Sequence, residues 1–322
     1  MKLEDKNVEK ILVIDLLYLG DLIFATPFLR QLRKNFADKK IDMVVNSNFF
    51  DIIEDNPYLD QVYSYDKSWN IKQSWKFALS LKKNDYDLGL NIHGNWRTVL
   101  LTKIINPKFI ASYGNKGKKI FIDRIIQQPA DRHMVDTYLQ FLKELGLKVN
   151  QNRQLDLFVP SHKKMNIKKK LSKMTDNIES LVGIHSGGTW PTKRWDKDKF
   201  ACLADILQGD YQKQVILLGG PDDIDRVREI EKIMETKPIN MAGKTDLKEL
   251  AALTAVCDLV ISGDSGPVHV AAAVGTPTIT LFGPSDERKY RPYGKNHKVV
   301  KTDLECRPCG KHQCPRGDHK CM

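Results

Sequence analysis

The stretch Leu259-Val-Ile-Ser-Gly-Asp-Ser-Gly-Pro-Val-His269 constrains the fold more than any other part of this 322-residue chain. Leu259 to Ile261 form a short apolar run bounded by Gly263 and Gly266, which predicts a strand buried on both faces of a parallel sheet. Asp264-Ser265-Gly266 stops that strand. Pro267 suits the first position of a helix, where its missing N–H costs nothing, and Val268 to Val274 can continue as a short Ala-rich helix. Such a helix directs free backbone N–H groups and a partial positive charge at whatever lies beyond the strand's carboxyl end, and a phosphate is the natural occupant.

The same strand-then-helix rhythm runs through the chain. Apolar runs at Ile11–Asp15, Ile41–Val45, Val62–Tyr65, Leu88–Ile92 and Phe109–Tyr113 alternate with helical spacing at Leu22–Phe36, Lys72–Lys83, Trp96–Ile105 and His133–Leu145. The second half restarts it at Leu181–His185, Val215–Leu218, Ile239–Met241 and Thr278–Phe282. This alternation predicts α/β architecture with parallel sheets covered by helices. The length exceeds what one core fills comfortably, so two domains are expected, residues 1–158 and 159–322.

Composition, 41% hydrophobic and 28% charged, is that of a globular protein. No apolar run approaches the ~20 residues of a membrane span. The opening Met1-Lys-Leu-Glu-Asp-Lys6 lacks the pattern of a signal peptide, so a cytoplasmic location is expected. The net charge of +11 favours anionic partners: nucleic acid, an acidic membrane surface or a phosphorylated small molecule. It also fits an ordinary solvated lysine-rich surface. The Lys-rich segment His162–Lys173 reads as a linker or exposed helix and as a candidate for contact with anionic lipid. Basic residues between Trp96 and Arg132, including Arg97, Lys116 and Lys118, read either as a solvated loop or as a cradle for an anionic acceptor.

Several residues point to chemistry. Asp21 opens a helical pattern just after the first strand, where spacing alone favours an N-cap over a base facing the ligand crevice of an open sheet. Glycines close the strands at Gly187-Gly188, Gly219-Gly220, Gly243 and Gly263, and four such exits in one domain indicate a nucleotide crevice that backbone can approach closely. Thr192-Lys193-Arg194 follows the first exit, and Lys193 is a compact charge suited to a diphosphate leaving group. Asp85-Tyr-Asp87 matches an Asp-x-Asp metal pattern but more simply opens the strand at Leu88. His185 and His269 fit either structural hydrogen bonding or ligand contact. In the tail, Cys306, Cys309, Cys314 and Cys321 could hold structural Zn or Fe, although only Cys306 and Cys309 form a Cys-x-x-Cys pair.

Ile11-Leu-Val-Ile-Asp-Leu-Leu-Tyr-Leu-Gly-Asp-Leu-Ile-Phe-Ala-Thr-Pro-Phe-Leu29, Trp190-Pro-Thr-Lys-Arg-Trp195, Ser262-Gly-Asp-Ser-Gly-Pro-Val-His-Val-Ala-Ala-Ala-Val-Gly-Thr-Pro277 and Leu281-Phe-Gly-Pro-Ser285 resemble bacterial heptosyltransferases, family 9 of the glycosyltransferases. The resemblance implies a GT-B fold of two facing Rossmann-like halves. The N-terminal half would take the lipid-linked lipopolysaccharide core acceptor and the C-terminal half ADP-heptose. It implies an inverting transfer with Asp21 as general base and Lys193 at the donor phosphates, without an obligatory metal. Together with the glycine exits it assigns donor binding to Ser186, Gly187, Gly188, Thr192, Gly219, Gly220, Gly243, Asp264, Ser265, Gly266, Pro267 and His269. It also implies action at the cytoplasmic face of the inner membrane, with peripheral membrane contact and no nucleic-acid partner. The Cys-rich ending resembles that of the second heptosyltransferase type. A GT-B enzyme with another nucleotide sugar, an epimerase of similar fold and a basic nucleic-acid-binding protein with a metal tail are the competing readings.

Overall fold

A computed structural model describes residues 7–114, 116–175, 178 and 180–322. The opening segment Met1–Lys6, read above for a leader, and the side chain of Lys116 lie outside what it describes. The chain divides into two compact units, Met1–Arg153 and Gln154–Met322.

The first unit carries strands β1 (Lys10–Asp15), β2 (Lys40–Asn46), β3 (Gln61–Tyr65), β4 (Leu88–Asn91), β5 (Phe109–Tyr113) and β6 (Arg124–Ile126). They form one parallel sheet in the order β3-β2-β1-β4-β5-β6. Helices α1 (Leu19–Phe24), α2 (Thr26–Asn35), α3 (Phe50–Ile53), α4 (Ile71–Lys82), α5 (Trp96–Ile105) and α6 (Met134–Glu144) make its connections. The second unit adds α7 (Ser161–Leu171), β7 (Leu181–His185), α8 (Lys197–Gly209), β8 (Gln214–Leu218), α9 (Ile224–Ile233), β9 (Ile239–Asn240), α10 (Leu247–Thr254), β10 (Leu259–Gly263), α11 (Gly266–Ala273), β11 (Thr278–Phe282), α12 (Glu287–Tyr290) and β12 (His297–Lys301). Its parallel sheet runs β12-β11-β10-β7-β8-β9. Counted within each unit, both sheets have the 3-2-1-4-5-6 order of dinucleotide-binding folds.

In each sheet the order reverses at one place, between β1 and β4 and between β7 and β10. The loops leaving those strands diverge to opposite faces, and a crevice opens at their carboxyl ends. Residues Ile11 to Ile14 and Val260 to Ile261 are buried, as central strands covered on both faces require.

Two expectations need correction. The helix expected over Leu22–Phe36 is two helices, because Pro27 stands in the first turn of α2 and cannot supply the N–H of a continuous helix. α1 begins at Leu19 with Tyr18 as its N-cap, so Asp21 lies in the first turn, near the cap. Asp87 is a strand opener: its Oδ2 accepts the N–H groups of Glu9 and Lys10 at 2.9 and 3.0 Å, and its Oδ1 pairs with Lys108 at 2.7 Å. Among the described residues no group of His, Cys, Asp and Glu side chains is arranged to hold a metal ion, and no helix is long and apolar enough to cross a membrane.

One buried polar pair locks the first sheet. The Tyr86 hydroxyl, just before β4, donates to Asp42 Oδ2 on β2 at 2.6 Å. Burial pushes the Asp42 carboxyl up, and this hydrogen bond together with Lys40 pulls it back. Tyr86→Phe would leave Asp42 buried without its donor, so we expect a loss of about 1–3 kcal/mol. A lower urea midpoint at unchanged m-value would show it, and an unchanged midpoint would contradict it.

Candidate functional site

The second unit concentrates polar groups at its strand-order reversal. β7 and β10 are neighbours in register, Ser262 opposite His185. From β7 the chain continues through Ser186, Gly187 and Gly188; from β10 it continues through Asp264 and Ser265 into α11. Gly266 begins that helix, Pro267 is its second residue, and Ser265 is the N-cap in extended conformation. The free N–H groups of α11 therefore point to the ends of both strands.

Asp264 is the electrostatic centre of this unit. Its side chain is 5% exposed, with Oδ2 2.6 Å from Lys193 Nζ and Oδ1 3.7 Å from His269 Nε2. Burial by itself would raise the carboxyl; the hydrogen bond from His269 and the charge of Lys193 outweigh it and hold the group at about 2. Asp264 is thus an anion at every physiological pH. A carboxylate in that state repels a phosphate, so its work is to fix Lys193 and His269. Lys193 also lies 4.5 Å over the Trp190 ring.

A second network, beside the first, holds Ser265. His185 is buried, with Nδ1 3.1 Å from both Ser262 Oγ and Ser265 Oγ and Nε2 3.4 Å from Asp223 Oδ2. Burial would raise the Asp223 carboxyl, but His185, the Gly220 N–H and Arg194 bring it below the usual carboxylate range. An ionised Asp223 places the imidazole proton on Nε2, which leaves Nδ1 to accept from a serine hydroxyl. Arg226 donates from Nε to the Ser186 carbonyl at 2.9 Å and from its guanidinium to the Trp195 carbonyl, so the loop after β7 is tied at both ends.

The glycine exits are shaped by the chain itself. A Cβ on Gly187 would stand 2.1 Å from Asp223 Oδ1, and one on Gly219 would stand 2.8 Å from Asp223 Cβ. Gly243 has φ +68° and would meet Ile224 Cδ1 at 2.5 Å. Gly220 donates to Asp223 Oδ2 at 3.0 Å. These glycines make room for the start of α9, and Gly188 offers its carbonyl to Arg194 Nε at 2.8 Å. Thr192, expected at the donor, is buried and donates its hydroxyl to the Lys311 carbonyl at 2.8 Å. The tail also sends His319 Nε2 to the Thr192 carbonyl at 2.7 Å and stacks His312 on Trp190 at 3.9 Å. Cys306, Cys309, Cys314 and Cys321 are free thiols; the Cys321 thiol is pushed up by burial and by the other three, yet among the described residues they are not arranged as a metal-ligand set. The Zn or Fe expected there lacks a fitting donor arrangement. The tail's visible contacts are instead packing and hydrogen bonds onto the Trp190–Lys193 loop.

In the first unit the equivalent crevice lies at the ends of β1 and β4. Asp15 closes β1 at 2% exposure; its Oδ1 accepts the Leu17 N–H at 2.9 Å and its Oδ2 finds no hydrogen-bond partner among the described residues. Burial pushes this carboxyl up to about 7, with the charge of Asp21 adding to the rise and Lys67 opposing it. Asp21 is half-buried. Burial lowers Lys67, against the pull of Asp15 and Asp21. His93, at the end of β4, is held near 4 by burial and by the charges of Lys67 and Lys118, and so stays neutral. The basic stretch from Arg97 onward is largely engaged. Arg97 binds the Tyr65 hydroxyl at 2.9 Å and the Lys67 carbonyl at 2.6 Å, and Lys118 Nζ donates to the Gly94 carbonyl at 2.5 Å.

Asp15, Lys67, Asp223 and Arg226 neighbour the candidate site residues and were not singled out by sequence reading. The available signal for Asp15 was an ionisable residue ending a wholly apolar strand.

Asp15 makes stability depend on pH with a definite sign. Its folded value of about 7 lies above the ordinary 3.8. Between those values the folded chain holds a proton that the unfolded chain has released, so stability falls as pH rises through the window. Asp15→Asn keeps an acceptor for the Leu17 N–H and cannot ionise. The variant's unfolding free energy relative to wild type should climb by roughly 2–3 kcal/mol from about pH 5 to about pH 8. A difference that stays constant in urea unfolding across that range would contradict a neutral Asp15.

Comparison with known proteins agrees with this architecture. Residues 74–320 match the profile of glycosyltransferase family 9 (heptosyltransferase). Lipopolysaccharide heptosyltransferase 3 of Escherichia coli (strain K12) is 33% identical over 298 residues, 87% of this chain and 84% of that protein. Lipooligosaccharide heptosyltransferase 2 of Campylobacter jejuni subsp. jejuni serotype O:2 is 27% identical, over 95% of this chain and 91% of that one. Among solved structures, a family 9 glycosyltransferase from Veillonella parvula superposes with a TM-score of 0.85 at 31% identity, covering 91% of this chain and 86% of that one. E. coli ADP-heptose lipopolysaccharide heptosyltransferase II superposes at 0.80 with 23% identity over 91% of both chains, a likeness of fold. The relatives' names span types 1, 2 and 3, so they do not single out the second type expected from the Cys-rich ending. The two Rossmann-like units are those of a GT-B glycosyltransferase, and the chain belongs to glycosyltransferase family 9, the heptosyltransferase family.

Proposed function

We propose that this enzyme transfers heptose from ADP-heptose to the inner core of lipopolysaccharide, at the cytoplasmic face of the inner membrane. The observation that carries the reading is the buried Asp264–Lys193 pair at the N-terminus of α11, in a chain one-third identical to a lipopolysaccharide heptosyltransferase. A diphosphate at this place meets the Lys193 ammonium, the Ser265 hydroxyl and the N–H groups of Gly266 and the loop Ser186–Gly188. Lys193 is already oriented by Asp264, and Ser265 Oγ is positioned by its contacts with Ser262 and His185. Charge that develops on the departing ADP is therefore stabilised without reorganisation.

Transfer is a single displacement at the anomeric carbon. The acceptor hydroxyl attacks, the bond to the ADP oxygen breaks, and Asp21 takes the hydroxyl proton. A helix first turn favours an ionised carboxylate, and the buried Asp15 nearby resists ionising, which keeps the second negative charge out of the crevice. Lys193 and the α11 N–H groups supply the positive charge that a divalent metal supplies elsewhere.

A donor screen with purified enzyme and defined core acceptors tests this reading. ADP release from ADP-heptose should exceed release from UDP- or GDP-sugars by roughly 100-fold or more. The rate in excess EDTA should stay within about twofold, since fixed cations carry the leaving-group charge. Comparable turnover of a UDP- or GDP-sugar would reassign the donor, and activity restored only by Mg²⁺ would remove the metal-free mechanism.

Asp21→Asn isolates the base. We expect kcat to fall by about 10²–10⁴-fold while ADP affinity, measured by calorimetry, is unchanged. Near-wild-type kcat would place proton transfer on another group.

A further inference from the structure

We propose that the outer face of α4 and α5 in the first unit is a docking surface for an anionic phospholipid bilayer. The inner face of α4 is spent on the core: Ala78 and Leu81 pack with Leu101 and Ile105 of α5, with Phe77 half-buried beside them. Three large apolar side chains nevertheless point outward. Ile71 is 85% exposed, Trp75 52% and Leu79 42%, one per turn at i, i+4 and i+8 along the whole helix. Members of a stripe at that spacing turn about 40° further round at each step, so Trp75 and Leu79 lie about 90° or more from the midpoint of Ala78 and Leu81, and Ile71, at the first turn, about 50° from it; all three stay exposed among the described residues.

The charge around the stripe identifies the occupant. Lys72 and Lys76 follow Ile71 and Trp75 by one residue and Lys83 is the C-cap; all three are exposed and form no ion pair among the described residues. α4, α5 and the turn Lys116–Phe121 contain no Asp or Glu. α5 presents Trp96, Leu100 and Lys103 outward, and the turn presents Ile120, with Phe121 set edge-on against Trp96 at 6.1 Å. Apolar and indole side chains flanked by unpaired lysines match the bilayer interface, where Trp settles among headgroups and Lys meets anionic phosphate. A second copy of the chain fits poorly, because a symmetric contact would set lysine against lysine. The helix α7, expected as the lipid contact from its lysines, lacks this face: Ile167 and Leu171 are buried in the core, and Lys163 pairs with Asp246.

The surface rests on the proposed function only in that a lipid-linked acceptor gives membrane docking a purpose, and its test reads binding alone, so it stands or falls independently of the donor screen. The full chain is sedimented with vesicles of phosphatidylcholine, alone or with about one-third phosphatidylglycerol. The wild type should pellet with the anionic vesicles and remain in solution with the neutral ones. The triple variant Ile71→Ser, Trp75→Ser, Leu79→Ser and, separately, Lys72→Glu, Lys76→Glu, Lys83→Glu should each weaken vesicle binding at least about tenfold. Lys164→Glu, Lys168→Glu, Lys169→Glu on α7 should stay within about threefold. Urea midpoints equal to wild type would confirm that the variants fold. Anionic-vesicle binding that survives either α4 variant, a wild type that ignores anionic vesicles, or a wild-type dimer that the α4 variants dissociate would overturn the proposal.

Discussion

The second unit is arranged around one buried charge. Asp264 sits where β10 ends and α11 begins, and at 5% exposure it stays ionised only because Lys193 and His269 reach it. Taking Lys193 away would leave a desolvated carboxylate without its charge partner, at a cost on the order of 3 kcal/mol. The pair therefore ties the loop after β7 to the turn after β10. Backbone packing reinforces the tie, since a Cβ on Gly263 would stand 2.8 Å from the Lys193 carbonyl oxygen. A lysine fixed in this way is charged and aimed before any ligand arrives, which is the condition for stabilising a leaving group without delay.

The first unit uses the same strand order and the same kind of crevice, yet drives a carboxyl the other way. Asp15 has one backbone N–H and a distant lysine as compensation, and burial wins; its proton is held to about neutral pH. Asp264 has the Lys193 ammonium at 2.6 Å and the His269 imidazole at 3.7 Å, and burial loses. Carboxyls whose surroundings separate their titrations are suited to different work. At Asp264 a permanent anion organises cations. At Asp15 a buried carboxyl keeps its proton up to about neutral pH.

The sequence made the sheets legible and left the interiors of the crevices largely hidden. Central strands such as β1 and β10 are continuous apolar runs because both of their faces are covered, and runs of that kind can be read directly. The strands it did not reveal, β6 and β12, lie at sheet edges, where Arg124 and the alternating His297-Lys-Val-Val-Lys301 face water. Asp264, Ser265 and Lys193 could be found because they follow strand ends in a recognisable order. Their partners could not. Asp223 reaches His185 from 38 residues away, and Arg226 reaches Ser186 from 40. Periodicity carries no record of contacts made through the fold. The glycines show the same limit: their positions were correct signals of tight strand exits, but what they make room for is Asp223 and Ile224.

The Cys-rich tail is tied to the fold by residues other than its cysteines. Four cysteines in a short stretch suggest a metal, yet the residues of that segment that make specific contacts are its neighbours. The Lys311 carbonyl takes the Thr192 hydroxyl, His319 reaches the Thr192 carbonyl, and His312 stacks on Trp190. Trp190 in turn lies beneath the Lys193 ammonium. Arg307 extends the attachment by donating to the Gly283 carbonyl and pairing with Glu287. The loop bearing Lys193 is therefore held from one side by Asp264 and from the other by the tail. The tail's contacts with this loop span more than 100 residues of sequence, which is why a segment so remote from the strand-end motifs packs beside them.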